Sequence, residues 1–391
     1  MANLWIWLNF TAFLIVLEGK ELFYIFINSM TKTKTLTSND WLSITSFLVL
    51  VFAMIAPIGE GLLIAFAVVF LAVGISSAVH NAEVIAERVG PALGTLILAI
   101  SVTVIEVALI VSLMSNDTAD SPQIARDTVF AALMIVTNGI IGICILLGGL
   151  KHKELGFQLV GTTALLGVLA VLSTLTLILP LYTTSTNKGT YSAGQLIFVS
   201  FASLVLYGSL VWSQTKSHKN FFSASEGEVL PTDTTATKPS KKRAITSFIS
   251  LLFSLVAVVG LSKILSPTIE STIAALGAPK AVVGIVIAIL VLAPETLAAM
   301  NAAKINELQT SLNLALGSGA ASIALTIPAV SLYSLLFDKP LTLGLDTKGI
   351  VFLMVTFLAG SFTFGSGRTT SLHGLIHLVI MASFLAISLM P

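Results

Sequence analysis

Charge is scarce in this chain. Lys and Arg number 20 and Asp and Glu 19 among 391 residues, 10% in all with a net charge of +1, against roughly 25% in soluble domains. That is too little polar side chain to cover a water-soluble fold, so a soluble enzyme is excluded. The near balance of signs argues against a dedicated nucleic-acid role. Cysteine is almost absent: Cys144 stands alone inside an apolar run, which excludes a disulfide framework or a thiolate metal cluster. Also missing is the apolar–polar alternation over segments of about ten residues that a membrane β-barrel needs.

What the chain has is apolar length. Residues of the AVILMFWYC set make up 55% of it, and the mean hydropathy is +0.99. Continuous apolar runs reach the roughly 20 residues that a spanning helix requires. Eleven spans are expected, at 42–56, 60–80, 91–115, 127–149, 157–179, 193–213, 245–264, 280–300, 310–336, 348–366 and 371–390. The fold class expected is therefore an all-α polytopic membrane protein of about 11 transmembrane helices.

The domain organisation follows from where polarity collects. Residues 1–41 precede the first span; within them Trp5 to Leu17 is short for a crossing. It reads either as an interfacial segment anchored by Trp5 and Trp7 or as a stretch ahead of a start at Met30. Residues 42–213 hold spans one to six. Residues 214–244, rich in Ser, Thr, Lys and Pro, read as a flexible linker. Residues 245–391 hold spans seven to eleven. Lys and Arg set the orientation. Placing the linker in the cytoplasm puts fourteen of the twenty basic residues inside and six outside. The expectation is a protein of the cytoplasmic (inner) membrane with its C-terminus outside.

The halves resemble each other. Span three reads Ala99-Ile100-Ser101-Val102-Thr103-Val104-Ile105-Glu106, and span eight reads Ala288-Ile289-Leu290-Val291-Leu292-Ala293-Pro294-Glu295. Each matches A-I-x-V-x-x-x-E. A charged residue near a helix centre costs of order 2.5 kcal/mol or more unless it faces a cavity or partner, so two lone glutamates at matching places mark a site. One leading helix followed by two five-helix blocks also forces the second block to be inverted. Inverted repeats with a midplane ion site between them are a signature of secondary transporters.

Polar groups at mid-depth extend this set. Span four offers Thr137-Asn138-Gly139, and span nine offers Gly317-Ser318, Ser322 and Thr326. Asn138 and Ser322 read either as cation ligands or as hydrogen-bonding contacts between helices. Pro294 and Pro328 free backbone carbonyls that a neighbour, water or ion must satisfy. Glu83, Glu87 and Arg88 are expected in the cytoplasmic loop after span two, as a solvated rim or a cation-attracting vestibule. His373 and His377, four apart on span eleven, lack a third ligand nearby and read as a packed or proton-accessible pair rather than a metal site.

At this point the chain resembles the calcium/cation antiporter superfamily, and within it the bacterial calcium/sodium–proton antiporter branch, over about residues 42–391. The resemblance rests on His80-Asn81-Ala82-Glu83 through Arg88, Gly90, Pro91 and Gly94, on Ser101–Glu106, on Pro294-Glu295, on Asn313 with Gly317-Ser318, and on Ser366-Gly367-Arg368-Thr369. It implies eleven helices, two inverted halves, and one acidic residue per repeat that binds calcium and exchanges it for protons. Glu106 and Glu295 fall on those positions. Two departures stand out. Val102-Thr103 and Val291-Leu292 replace the Gly-Asn that many members carry before each glutamate. The linker offers only Glu226, Glu228 and Asp233 in place of an acidic run.

The function expected is exchange of calcium for protons, with alternating access around Glu106 and Glu295. Calcium takes six to eight hard oxygens; two glutamates with Ser and Asn oxygens, freed carbonyls and waters can supply them. Two protons balance one calcium ion, so both compete for one site. Sodium or potassium exchange for protons on the same site stays open. An intramembrane hydrolase would need two close acids activating water, yet such pairs are normally aspartates, and no Ser/His or His/Glu metal motif lies at depth. No cofactor is expected. The partners expected are the transported ions and membrane lipid, with no nucleic acid; the sequence does not specify an oligomeric state.

Overall fold

A computed structural model describes residues 37–55, 61–89, 91–115, 121–223, 239–275, 279 and 281–390. The expected N-terminal segment with Trp5 and Trp7, and the linker acids Glu226, Glu228 and Asp233, lie outside these residues. Among the described residues, eleven helices follow in order. They are α1 (Ser38–Ile55), α2 (Gly61–Val89), α3 (Pro91–Met114), and α4, which runs as Ile124–Met134, a π-helical turn Ile135–Ile140, and Ile141–His152. Next come α5 (Leu159–Ser173, with a π turn Thr174–Ile178) and α6 (Ala193–Trp212, with a π turn Ser213–Ser217). Last are α7 (Lys241–Ala275), α8 (Ala281–Lys304), α9 (Leu308–Phe337), α10 (Thr347–Phe364) and α11 (Ser371–Leu389). Each falls on one expected span, and nine of the described spans are long and apolar enough to cross a membrane. Helix is the form such runs must take, because hydrocarbon offers no partner for an open backbone N–H or C=O. The protein is an all-α polytopic membrane protein.

The connections sort into two ends. At one end, Glu154–Gly156 (β1) pairs antiparallel with Arg368–Thr370 (β2), joining the α4–α5 and α10–α11 connections. Lys151 Nζ donates to the Lys304 carbonyl at 2.9 Å, and Arg88 Nη1 to the Pro239 carbonyl at 3.0 Å. These contacts bring the ends of α2 and α8 and the start of α7 to the same side. At the other end, Thr342 N donates to Pro122 O, and Leu343 N and Gly344 N to Gly189 O, each at 2.9 Å. The α3–α4, α5–α6 and α9–α10 connections thus meet there. It follows that α3 and α8 run antiparallel, as do α4 and α9.

Two large apolar clusters build most of the interior of the described residues. The larger draws on α4, α5, α6 and α9 to α11; the smaller is formed mainly by α2, α3 and α7. Both α3 and α8 give fully buried residues to each cluster, for example Ile110 and Leu292 to the larger and Ile105 and Val291 to the smaller. The two helices carrying the paired glutamates therefore lie along the seam between the clusters. Small residues bring backbones together: Gly142 of α4 lies against Gly374 of α11, where an added Cβ would meet the Gly374 carbonyl at 3.1 Å.

Several element edges differ from expectation, each for a physical reason. α2 runs on to Val89, so Glu83, Glu87 and Arg88 stand on its last turns and not in a loop. The apolar pattern Ala78, Ala82, Ile85 keeps one face buried while Glu83 and Glu87, four apart, face outward. α6 continues through Ser217, which takes Gln214 out of the linker and into the helical bundle. α1 starts at Ser38 and carries the buried Asp40 because Asp40 is fully partnered. It accepts from Thr37 N and Oγ1 at 2.9 Å and from Ser250 Oγ at 3.0 Å, and it pairs with Arg243 of α7. Removing either charge would strand the other in a low-dielectric interior.

Candidate functional site

Glu106 is 4% exposed and Glu295 8% exposed, and both line one cavity of about 130 Å³. α3 presents Val102, Thr103 and Glu106 to it, and α8 presents Val291, Leu292 and Glu295. The i, i+3 and i+4 spacing puts each trio on one helix face. α9 adds Ser318 and Ser322. The two matching stretches of α3 and α8 thus line one shared cavity.

The two carboxyl groups differ in their partners. Ser322 Oγ lies 2.8 and 2.9 Å from the two oxygens of Glu106, and Thr326 Oγ1 donates to Oε2 at 3.0 Å. α9 thus fixes the Glu106 carboxyl at mid-span. Glu295 Oε2 is buried with no hydrogen-bond partner among the described residues. A buried polar oxygen in that condition is costly unless something binds it, and a cation or a proton can. Pro294 precedes it and has no N–H for the Leu290 carbonyl. Glu83, half exposed on the last turns of α2, has a carboxyl oxygen 3.8 Å from His80 Nδ1. Glu87 is exposed on the following turn.

Of the four residues expected at the cation, the structure brings Glu106, Glu295 and Ser322 together and leaves Asn138 out. Asn138 sits in the π turn of α4, fully buried, and points toward α10 and α11. Its Nδ2 donates to Thr356 Oγ1 at 2.9 Å, and its Oδ1 lies 3.0 Å from His377 Nδ1. His377 Nε2 in turn lies 3.0 Å from Thr363 Oγ1. Asn138 takes the interhelical role, and His377 is packed within that network. His373 stands at the start of α11, 3.3 Å from the Thr370 hydroxyl. Among the described residues, no three or more His, Cys, Asp or Glu side chains come together to hold a metal ion.

The residues matched by the sodium/calcium exchanger protein family are 60–216 and 246–390, which include both glutamate helices and α9. The chain belongs to the sodium/calcium exchanger family. It is a cation transporter of the secondary, antiporting kind and not an enzyme. It is 43% identical over 315 residues to y4hA of Sinorhizobium fredii, named for ionic transport, covering 81% of this chain and 85% of that one. It is 34% identical over 310 residues to the sodium-potassium/proton antiporter ChaA of Escherichia coli, covering 79% and 84%. Its fold is similar to that of YfkE, described as a Ca2+/H+ antiporter, with a TM-score of 0.69 at 17% identity over 90% of this chain and 99% of that one. At that identity the likeness is one of fold.

Tyr207 and Gln214 of α6 and Asn313 of α9 also line the cavity; of these only Asn313 stands in a stretch that carries the family resemblance, and none is among the expected ligands. Gln214 fell inside the polar stretch taken as linker. Asn313 stands four residues before Gly317 on the same α9 face, and that spacing was the available signal.

Proposed function

We propose that the protein exchanges a cation for protons across the cytoplasmic membrane at the Glu106–Glu295 cavity, with calcium efflux driven by proton entry. The observation that carries this reading is the pairing of two buried carboxyl groups in one cavity, one held by Ser322 and Thr326, the other with an oxygen that has no partner among the described residues. Two carboxylates balance one divalent ion or accept two protons, so the same oxygens serve both cargoes in turn. The cavity has room for an ion that keeps several waters, each of which occupies about 30 Å³, and this fits the many oxygens calcium requires. The seam position of α3 and α8 supports alternating access, since a shift between the two clusters would open the cavity toward either face. The inverted relation of the halves and the basic bias toward the linker end support a cytoplasmic linker.

A monovalent cargo is the second reading, favoured by two observations. ChaA, at 34% identity, is named for sodium and potassium. Beside the glutamates, α3 and α8 line the cavity with Ala99, Val102, Thr103, Ala288, Val291 and Leu292, so that side-chain amides among the lining residues come only from Gln214 and Asn313. The test is cation-dependent proton flux in everted vesicles with calcium, sodium and potassium supplied separately. Wild-type protein should exchange, while Glu106→Gln and Glu295→Gln, similar in size but without charge or titratable proton, should each lose exchange at normal membrane abundance. Near-normal flux in either variant would remove the two-carboxylate mechanism.

A further inference from the structure

Beyond Ser217 the chain folds back along the bundle before it enters the linker. A short 3₁₀ turn, Lys219–Phe222, follows the π turn of α6, and its fastenings are specific. The Phe222 carbonyl accepts from Asn313 Nδ2 at 2.6 Å. Asn313 Oδ1 accepts from Gln309 Nε2 at 2.9 Å, and Gln309 Oε1 accepts from the Gln158 N–H at 2.7 Å. The Phe221 carbonyl lies directly over Gly161 near the start of α5, where a Cβ would overlap it. The His218 ring stacks on Phe221 with centroids 5.3 Å apart, and Phe222 packs on the larger apolar cluster.

One of these contacts reaches the cation site. Asn313 is at once an anchor of this turn and a wall residue of the cavity, and Gln214, just before the turn, is another wall residue. We propose that residues 218–222 form a strap over the linker end of the cation cavity. Asn313 and Gly161 are positioning residues that hold it down, and the cavity is reached from that end when the strap lifts. This rests on the reading of the cavity as the transport site. Gly161 serves because only a residue without Cβ lets the Phe221 carbonyl approach so closely. Asn313 serves because its amide donates to the strap and accepts from Gln309 at the same time.

The test is accessibility, read with no ion gradient and therefore separable from the transport assay. Ser318→Cys places a thiol on the cavity wall, in a Cys144→Ser background. The rate of its modification by a small water-soluble thiol reagent is followed on purified full-length protein in detergent. Asn313→Asp keeps the shape but loses the donor to Phe222, and Gly161→Ala forces the Phe221 carbonyl away; each should raise the rate about tenfold or more. Gly167→Ala, an exposed position on the same helix with nothing within 4 Å of an added Cβ, should leave it unchanged. Where Gly161→Ala fails to fold, Asn313→Asp carries the test. An unchanged rate in folded Asn313→Asp, or a rate raised equally by Gly167→Ala, would overturn the strap.

Discussion

Glu106 and Glu295 are both costly in a membrane span, and the structure offsets that cost differently for each. Glu106 accepts hydroxyl hydrogen bonds from α9, whereas one oxygen of Glu295 has no hydrogen-bond partner among the described residues. The repeat A-I-x-V-x-x-x-E made both residues legible, because a lone acid in a long apolar run has few structural uses. Asn138 was not legible in the same way. Its depth in span four is right for a ligand, but depth does not fix which helix face a side chain takes. The π turn Ile135–Ile140 shifts the register of α4 by one residue, and Asn138 points to His377. Asn138→Ala should therefore act on stability: His377 Nδ1 loses its partner, at about 1–3 kcal/mol for a buried unsatisfied group. A lowered Tm with cation affinity changed less than twofold is expected. A tenfold loss of affinity at unchanged Tm would return Asn138 to the ligand set.

The eleven helices were legible because hydrocarbon thickness imposes one length scale on every crossing. Their ends were less so. Glu83, Glu87 and Arg88 read as loop by polarity, yet helix persists there because one face stays apolar and no breaker intervenes before Gly90-Pro91. Gln214 was lost to the linker for the same reason, since a polar residue at a helix end resembles the start of a loop. Topology is the property that depends on elements alone. A cysteine at Ser240, just before α7, should be labelled only from the cytoplasmic side by an impermeant reagent. One at Asn187, in the α5–α6 connection, should be labelled only from outside. Labelling of both from one side would break the alternation of helix directions and the antiparallel relation of α3 to α8.

Across the whole molecule, the carboxyl groups lie where two packing clusters meet, and α3 and α8 belong to both. Packed interiors do not deform continuously, so relative motion is most readily taken up between such clusters. A site on the seam can face one side and then the other without being dismantled. If the same oxygens carry cation and protons, affinity for the cation must depend on pH. Lower pH favours the protonated carboxyls, the cation has to displace those protons, and apparent affinity weakens as pH falls. With two interacting groups in one cavity, the dependence is steeper than a single proton can give. The direct measurement is calcium binding to the purified protein across roughly pH 5 to 9, the range over which buried carboxyl groups can titrate. The account predicts an affinity that falls toward low pH with a slope greater than one proton per calcium ion, and loss of that slope in Glu295→Gln. An affinity independent of pH over this range would mean that protons travel by another route, and would contradict the shared site.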